Sequence, residues 1–458
     1  MSAASARAAL RHPVAWLTNA TGGDSLPVLL LLGVSFFEVV DRSAAGLLLP
    51  EMMASFGLSD AAGTGIVSLA ALFGLALTLP IAYLADRHSR LRIMLLGGLA
   101  FTIFSMATGL IGFVAANATL LLVVRSGAAV GQATVFPTHN SLLTDYYDIP
   151  YRPRVFSIHG AAQGLGLFLG PIVAGLLATR VGWQLPFLLL PVPCVGLLLL
   201  GLRLRDPARG YWERKAAGLD PDLVGPEDPP SMVEAWRVIW RIRSIRRIYF
   251  SLPFLAVAII GLSILANLYY AREFGLDAQA RGFIEAIAEP FQLVGLAIGA
   301  VAGTRMLRRG PSELIRMVGW VAAFTAVMFV GFALAPNVAL TVVFRVLIAI
   351  PLAAVLPGVF SAMSMAIPAR VRALGFSYAI VFVLPGLILL PLVGALMEAL
   401  GPRGGMLAVA PSFLIAGLIV RSSHRTIDDD IAGVWTPTPD DPEVVAAASE
   451  WTTSTSTL

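Results

Sequence analysis

Glu38, Asp41 and Arg42 stand inside a run from Pro27 to Pro50 that is otherwise apolar. A helix of that length spans a bilayer core of roughly 30 Å, so the three groups lie at lipid depth. A charge at the centre of a membrane helix costs about 2.5 to 3.5 kcal/mol on insertion scales, and it persists where a partner, a cavity or a function holds it. A carboxylate so placed can exchange a proton with its surroundings, because burial opposes its charge and a nearby arginine favours it. Glu38 and Arg42 are four apart with the acid first, the order that favours a pair within one helix. Asp41 lies on another azimuth and needs a partner from elsewhere. Arg125, Arg345, Glu285 and Glu289 are the ionisable residues that later apolar runs offer.

The elements that must carry these residues follow from composition. The chain has 458 residues, 57% hydrophobic and 13% charged, where a soluble domain would be about 25% charged. Apolar runs of about 20 residues or more, bounded by Gly, Pro and Arg, suit helices and are too long for barrel strands. The expected class is an all-α polytopic membrane protein with twelve transmembrane helices in two parallel six-helix repeats. The expected division is residues 1–204 as a first bundle, 205–247 as a cytoplasmic linker, 248–421 as a second bundle, and 422–458 as a disordered acidic tail.

Orientation follows from the basic residues. With the N-terminus inside, Arg180, Arg272, Arg281 and Arg403 face outward, Arg42, Arg125 and Arg345 lie in the membrane, and the rest of the 32 Lys and Arg are cytoplasmic. Both termini are therefore expected inside a cell membrane, and no cleavable signal peptide is expected ahead of the first span. The net charge of +4 reads as topology rather than nucleic-acid binding, since the basic residues are scattered between spans. The single cysteine, Cys194, excludes a disulfide framework and a cysteine metal site. No HExxH, Gly-x-Ser-x-Gly or phosphate loop appears, so no enzyme, metal or cofactor is expected.

The halves echo each other. Arg125 precedes Pro137 and Arg345 precedes Pro357 by the same interval, and Ile149-Pro150 is mirrored by Ile367-Pro368, at displacements of about 220 residues. Between the halves, Ser231 and Glu234 form a capping box. The helix it opens sets Val233, Trp236 and Trp240 along one side, with Arg237, Arg241, Arg243, Arg246 and Arg247 elsewhere. Such a helix either lies in the lipid interface or is a plain linker. His139 and His159 either relay protons or each bond a neighbour.

The loop Ala82-Tyr83-Leu84-Ala85-Asp86-Arg87-His88-Ser89-Arg90-Leu91-Arg92 resembles the signature loop of the major facilitator superfamily, with Ala82 and Ser89 in place of its two glycines. Gly166-Leu167-Phe168-Leu169-Gly170-Pro171-Ile172-Val173-Ala174-Gly175 is similar to the antiporter motif, which generic small-residue packing explains almost as well. Within the superfamily the first spans look most like the Spinster-like transporters, through Asp41-Arg42, Gly46, Pro50, Asp60, Tyr83-Leu84, Asp86-Arg87, Ser89-Arg90, Arg125, Gly131 and Asp206-Pro207-Ala208-Arg209-Gly210. Gln132 stands where that family has an acid, and Ser126 where it has a glycine.

The resemblance implies a central cavity lined by spans one, four, seven and ten, and gating by Asp86, Arg87 and Arg90 against Asp145. Depth agrees without it: at 1.5 Å per residue Asp41 and Arg125 differ by roughly 6 Å along the bilayer normal. The expected mechanism has Asp41, Arg42 and Glu38 coupling to protons, the charge of Asp41 being held by Arg125 or Arg42 and released on protonation. A static ion pair is the alternative. Arg125, Gln132, Arg345, Glu289 and Glu285 are expected to meet the solute. The resemblance implies a proton-coupled carrier of an amphipathic or lipid-like solute, a lysophospholipid or sphingolipid-like molecule. A multidrug/proton antiporter is the runner-up, and a membrane scaffold or sensor the different-class rival. Expected partners are that solute, protons and membrane lipid, with no nucleic acid, in a monomer.

Overall fold

The structure is a computed structural model that describes residues 17–435 apart from 20, 115–116, 149–150, 209–210, 217–230 and 369–370. Among the described residues the regular elements are helices. Ten are long and apolar enough to cross a membrane. The last of these holds two spans, because Arg372–Ser422 breaks at Gly401, whose φ of 76° is open to glycine without strain. Ser25–Leu47 is also long enough to span, with Glu38, Asp41 and Arg42 inside it. Among the described residues this makes twelve candidate spans.

Span one is Ser25–Leu47, extended by Leu49–Phe56. Spans two to five are Asp60–Arg87, Arg90–Val114, Ala118–Tyr146 and Arg152–Val181. Span four bends between Gln132 and Val135, where Pro137 has no N–H to give the carbonyl of Ala133. Span six is Gln184–Gly201. Spans seven to ten are Arg243–Glu273, Ala278–Leu307, Pro311–Leu334 and Val338–Ala366, and spans eleven and twelve lie on either side of Gly401.

The repeat is carried by the helix boundaries themselves. A shift of 220 takes Ala118 to Val338 and Tyr146 to Ala366, Val114 to Leu334, and Arg152 to Arg372. Asn117 caps span four and its repeat mate Asn337 caps span ten, each accepting from backbone N–H groups of the first turn.

The two halves touch at one end of the bundle and part toward the other. At the touching end, Asp60 pairs with Arg272 and takes in Glu398 at its backbone N–H, while Arg281, 0% exposed, pairs with Glu51 and the carbonyl of Leu47. Gly175 and Gly282 let spans five and eight meet: a methyl group on either would overlap the backbone of Ala278 or Pro171. Gly164 and Gly160 share that face of span five by helical period, yet a methyl group there meets open space. The open end carries the signature loop and most of the arginines, and is called the basic face below.

At the basic face the structure adds to one expectation and changes another. The helix Met232–Arg241 packs on the second bundle: Ala235 and Ile239 are buried, Tyr378 donates to the carbonyl of Met232, and Trp236 and Trp240 stack on Phe382. Its aromatic side is spent on protein, which leaves Met232 and Val233 exposed. The tail is ordered beyond 422, because its aspartates cap helices. Ile427–Trp435 is a helix in which Asp430 accepts from Ser244 N at 2.7 Å and Asp428 from Ser312 N at 3.1 Å, at the starts of spans seven and nine. Residues 436–458 lie outside the described residues.

Candidate functional site

Asp41 is 2% exposed, and polar side chains from two other spans converge on it. Arg125 of span four reaches Asp41 Oδ2 through Nη1 at 3.2 Å and Nη2 at 3.3 Å, and Gln132 Nε2 donates to the same oxygen at 3.1 Å. Ser105 of span three donates to Oδ1. Gly131 is what lets span three come this close, since a methyl group there would collide with the backbone at Gly97 and Phe101, one turn from Ser105. The arrangement satisfies a charged Asp41 with one full positive charge and two neutral donors. Protonating Asp41 would leave Arg125 buried without its counter-charge, so proton and partner are linked.

The other members of the opening stretch go elsewhere. Glu38 and Arg42 do not pair along the helix. Glu38 turns into the bundle, 4% exposed, with its Oε1 lacking a hydrogen-bond partner. Arg42 is exposed on the side of span one that carries Gly46, one turn nearer the basic face. His139 and His159 come together, Nδ1 to Nε2 at 3.2 Å, which links spans four and five.

In the second half, Arg345 Nη2 donates to Glu285 Oε2 at 3.0 Å, both largely buried. The two arginines are repeat mates, but their acids are not: Asp41 comes from span one and Glu285 from span eight. A cavity of about 240 Å³ lies between the halves beside this pair. Its polar lining includes Ser43, Ser263, Asn267, Glu285, Glu289 and Arg345, with Leu47, Leu167, Ile259, Leu262 and Leu352 as apolar walls.

At the basic face the partner of Asp145 is Arg90, not Arg87. Span two ends at Arg87, which lies exposed over the ring of Tyr83 at 4.2 Å. Arg90 opens span three, 3% exposed, and pairs with Asp145 while also reaching Ser141, Asp206 and the carbonyl of Pro207. The loop signature and the Asp206-Pro207 motif thus meet at one guanidinium. The Asp86 side chain lies outside the described residues.

The Major Facilitator Superfamily profile matches residues 31–335, about two thirds of the chain. The chain belongs to the major facilitator superfamily. Spinster homologues recur among the proteins it resembles. Protein spinster homolog 1 of Homo sapiens is 29% identical over 243 residues, covering 52% of this chain and 44% of that protein. The multidrug efflux pump LfrA of Mycolicibacterium smegmatis is 29% identical over 225 residues, covering 48% and 40%. A probable L-galactonate transporter of Escherichia coli is 24% identical over 301 residues, 63% of each. The chain therefore matches between 40% and 63% of these relatives' lengths. Among solved structures, a bacterial homolog to the human lysosomal transporter Spinster, inward-facing and unoccupied, superimposes with a TM-score of 0.77 at 22% identity, covering 90% of this chain and 99% of that one. That likeness concerns the fold.

Ser105, Asn267 and Ser263 escape a reading of the sequence alone. Each is a small polar residue in a span with others like it, and a hydroxyl or amide that bonds its own helix looks the same as one that faces a site.

Proposed function

We propose that this superfamily member is a proton-coupled carrier of a small amphipathic solute that works by alternating access, with Asp41 as the coupling group. The observation that carries the reading is the Asp41 site: a carboxylate near the middle of a membrane span, held by Arg125, Gln132 and Ser105 rather than by a partner on its own helix. With the basic face toward the cytoplasm, as the excess of arginine there favours, the conformation is open to the inside and closed outside. Both termini are then cytoplasmic. Arg90, Asp145 and Asp206 hold the inner ends of spans three, four and six in one unit, so the first half moves as a body against the second.

The test is solute accumulation in proteoliposomes under an imposed pH gradient. A single-chain lysolipid should be accumulated with the gradient and only equilibrate when an ionophore collapses it. Accumulation indifferent to the ionophore would remove proton coupling.

A further inference from the structure

Arginines buried in the membrane suggest an anionic solute at first sight, but Arg125 is engaged by Asp41 and Arg345 by Glu285. The cavity between the halves offers more acceptor than donor capacity, the donors in its lining including Gln292 and the Nε of Arg345, which has no hydrogen-bond partner. Glu289 is half-buried in its lining, takes a hydrogen bond from Gln292 and shares the field of Arg345 with Glu285, which holds the ion pair, so two carboxylates stand beside one guanidinium. Glu285 is 8% exposed and its Oε1 has no hydrogen-bond partner, and Asn267 is 2% exposed and its Oδ1 has none. Both residues line the cavity. Three acceptor groups and a spare negative charge match one chemistry well: an ammonium, which has three N–H donors, no acceptor and a positive charge. The apolar walls, Leu47, Leu167, Ile259, Leu262 and Leu352, suit a hydrocarbon next to it.

We infer that this cavity binds the protonated primary amine of an amphiphile, with Glu289 as the counter-charge and Glu285 and Asn267 as hydrogen-bond acceptors. Two carboxylates beside one guanidinium leave a net negative charge that is costly away from water, so an amine that supplies the missing charge gains more than its neutral counterpart. The amine can belong to a membrane-borne single-chain lipid or to a soluble drug-like compound. The inference rests on the carrier reading only for the cavity being the solute's site. Binding is measured without a gradient, so failure of proton coupling leaves it standing, and its own failure leaves proton coupling standing.

The experiment titrates the full chain in lipid nanodiscs with dodecylamine, N-dodecylacetamide, dodecyl sulfate and tetraphenylphosphonium, reading intrinsic tryptophan fluorescence. Dodecylamine should bind at least about tenfold more tightly than the acetamide, a difference of about 1.4 kcal/mol, and more tightly than the sulfate or tetraphenylphosphonium, which has no N–H. Glu289→Gln should abolish the preference for amine over acetamide by weakening amine binding. Glu289→Asp, which keeps the charge, should retain it, and so separates charge from folding. Equal affinities for amine and acetamide in the parent, a preference that survives Glu289→Gln, or tetraphenylphosphonium binding as well as the amine would each overturn the proposal. Phenethylamine, added as a fifth probe, distinguishes the sources: affinity close to that of dodecylamine points to soluble amines, much weaker affinity to a lipid amine, and either supports the amine assignment.

Discussion

Gln132 donates to the same oxygen of Asp41 as Arg125 does, in a position where related carriers of the Spinster type would place an acid. The neutral amide leaves Asp41 with a single acid's charge to be balanced by a single guanidinium. Gln132→Glu puts a second carboxylate at hydrogen-bonding distance, and like charges so close cannot both ionise easily. The pH at which transport is half-maximal should move to the alkaline side by about one unit or more, measured as uptake against pH in proteoliposomes. An unchanged profile would mean that Asp41 does not titrate in the cycle. Part of this site is legible in the sequence, since depth alone puts Arg125 in reach of Asp41, but the pairing of Glu38 with Arg42 that the i,i+4 spacing suggests does not form. The choice between Arg125 and Arg42 is not legible, because it depends on the azimuth of span one, which leaves Arg42 exposed and turns Asp41 toward span four.

Spans five and eight close the far end through glycines, and the antiporter-like motif has two jobs on one helix. Gly166 and Gly170 pack on span one within the first half, and Gly175 meets Ala278 across the halves. Gly282 is its counterpart, facing the carbonyl of Pro171. Gly282→Ala overpacks the closed end, at a cost of typically about 1–3 kcal/mol, while nothing opposes it once the halves part there. The variant should therefore populate the opposite conformation. With Cys194 replaced by Ser and Gly164→Cys added as a reporter, maleimide labelling from the basic face should fall several-fold, and equal labelling would contradict this geometry. A second element is misread from sequence alone. Asp428-Asp429-Asp430 looks like a solvated acidic run, yet it caps spans seven and nine, whose starts are distant in the chain. Asp430→Ala should cost about 0.5–2 kcal/mol and lower the thermal unfolding midpoint. Asp430→Asn, still able to accept, should largely restore it.

The molecule as a whole is two copies of one six-helix plan with different polar contents. The shift of 220 holds for helix starts, ends and caps, and it is legible because Arg, Pro and Ile-Pro pairs recur at that interval. What does not repeat cannot be read that way: the acids facing the repeat-mate arginines come from span one in one half and span eight in the other. This asymmetry divides the proposed tasks, the proton going to Asp41 in the first half and the solute to Glu285 and Glu289 in the second. The most direct test is solute-driven proton movement in proteoliposomes, followed with an enclosed pH-sensitive dye, for the parent, Asp41→Asn and Glu289→Gln. Asp41→Asn keeps the size of the side chain and can still hydrogen-bond but cannot exchange a proton. It should bind solute and exchange it across the membrane, yet move no protons and build no gradient-driven accumulation. Glu289→Gln should weaken solute binding while each solute that crosses still moves its proton. If Asp41→Asn accumulates solute and moves protons as the parent does, while Glu289→Gln abolishes both, the coupling site belongs to the second half and the central claim fails.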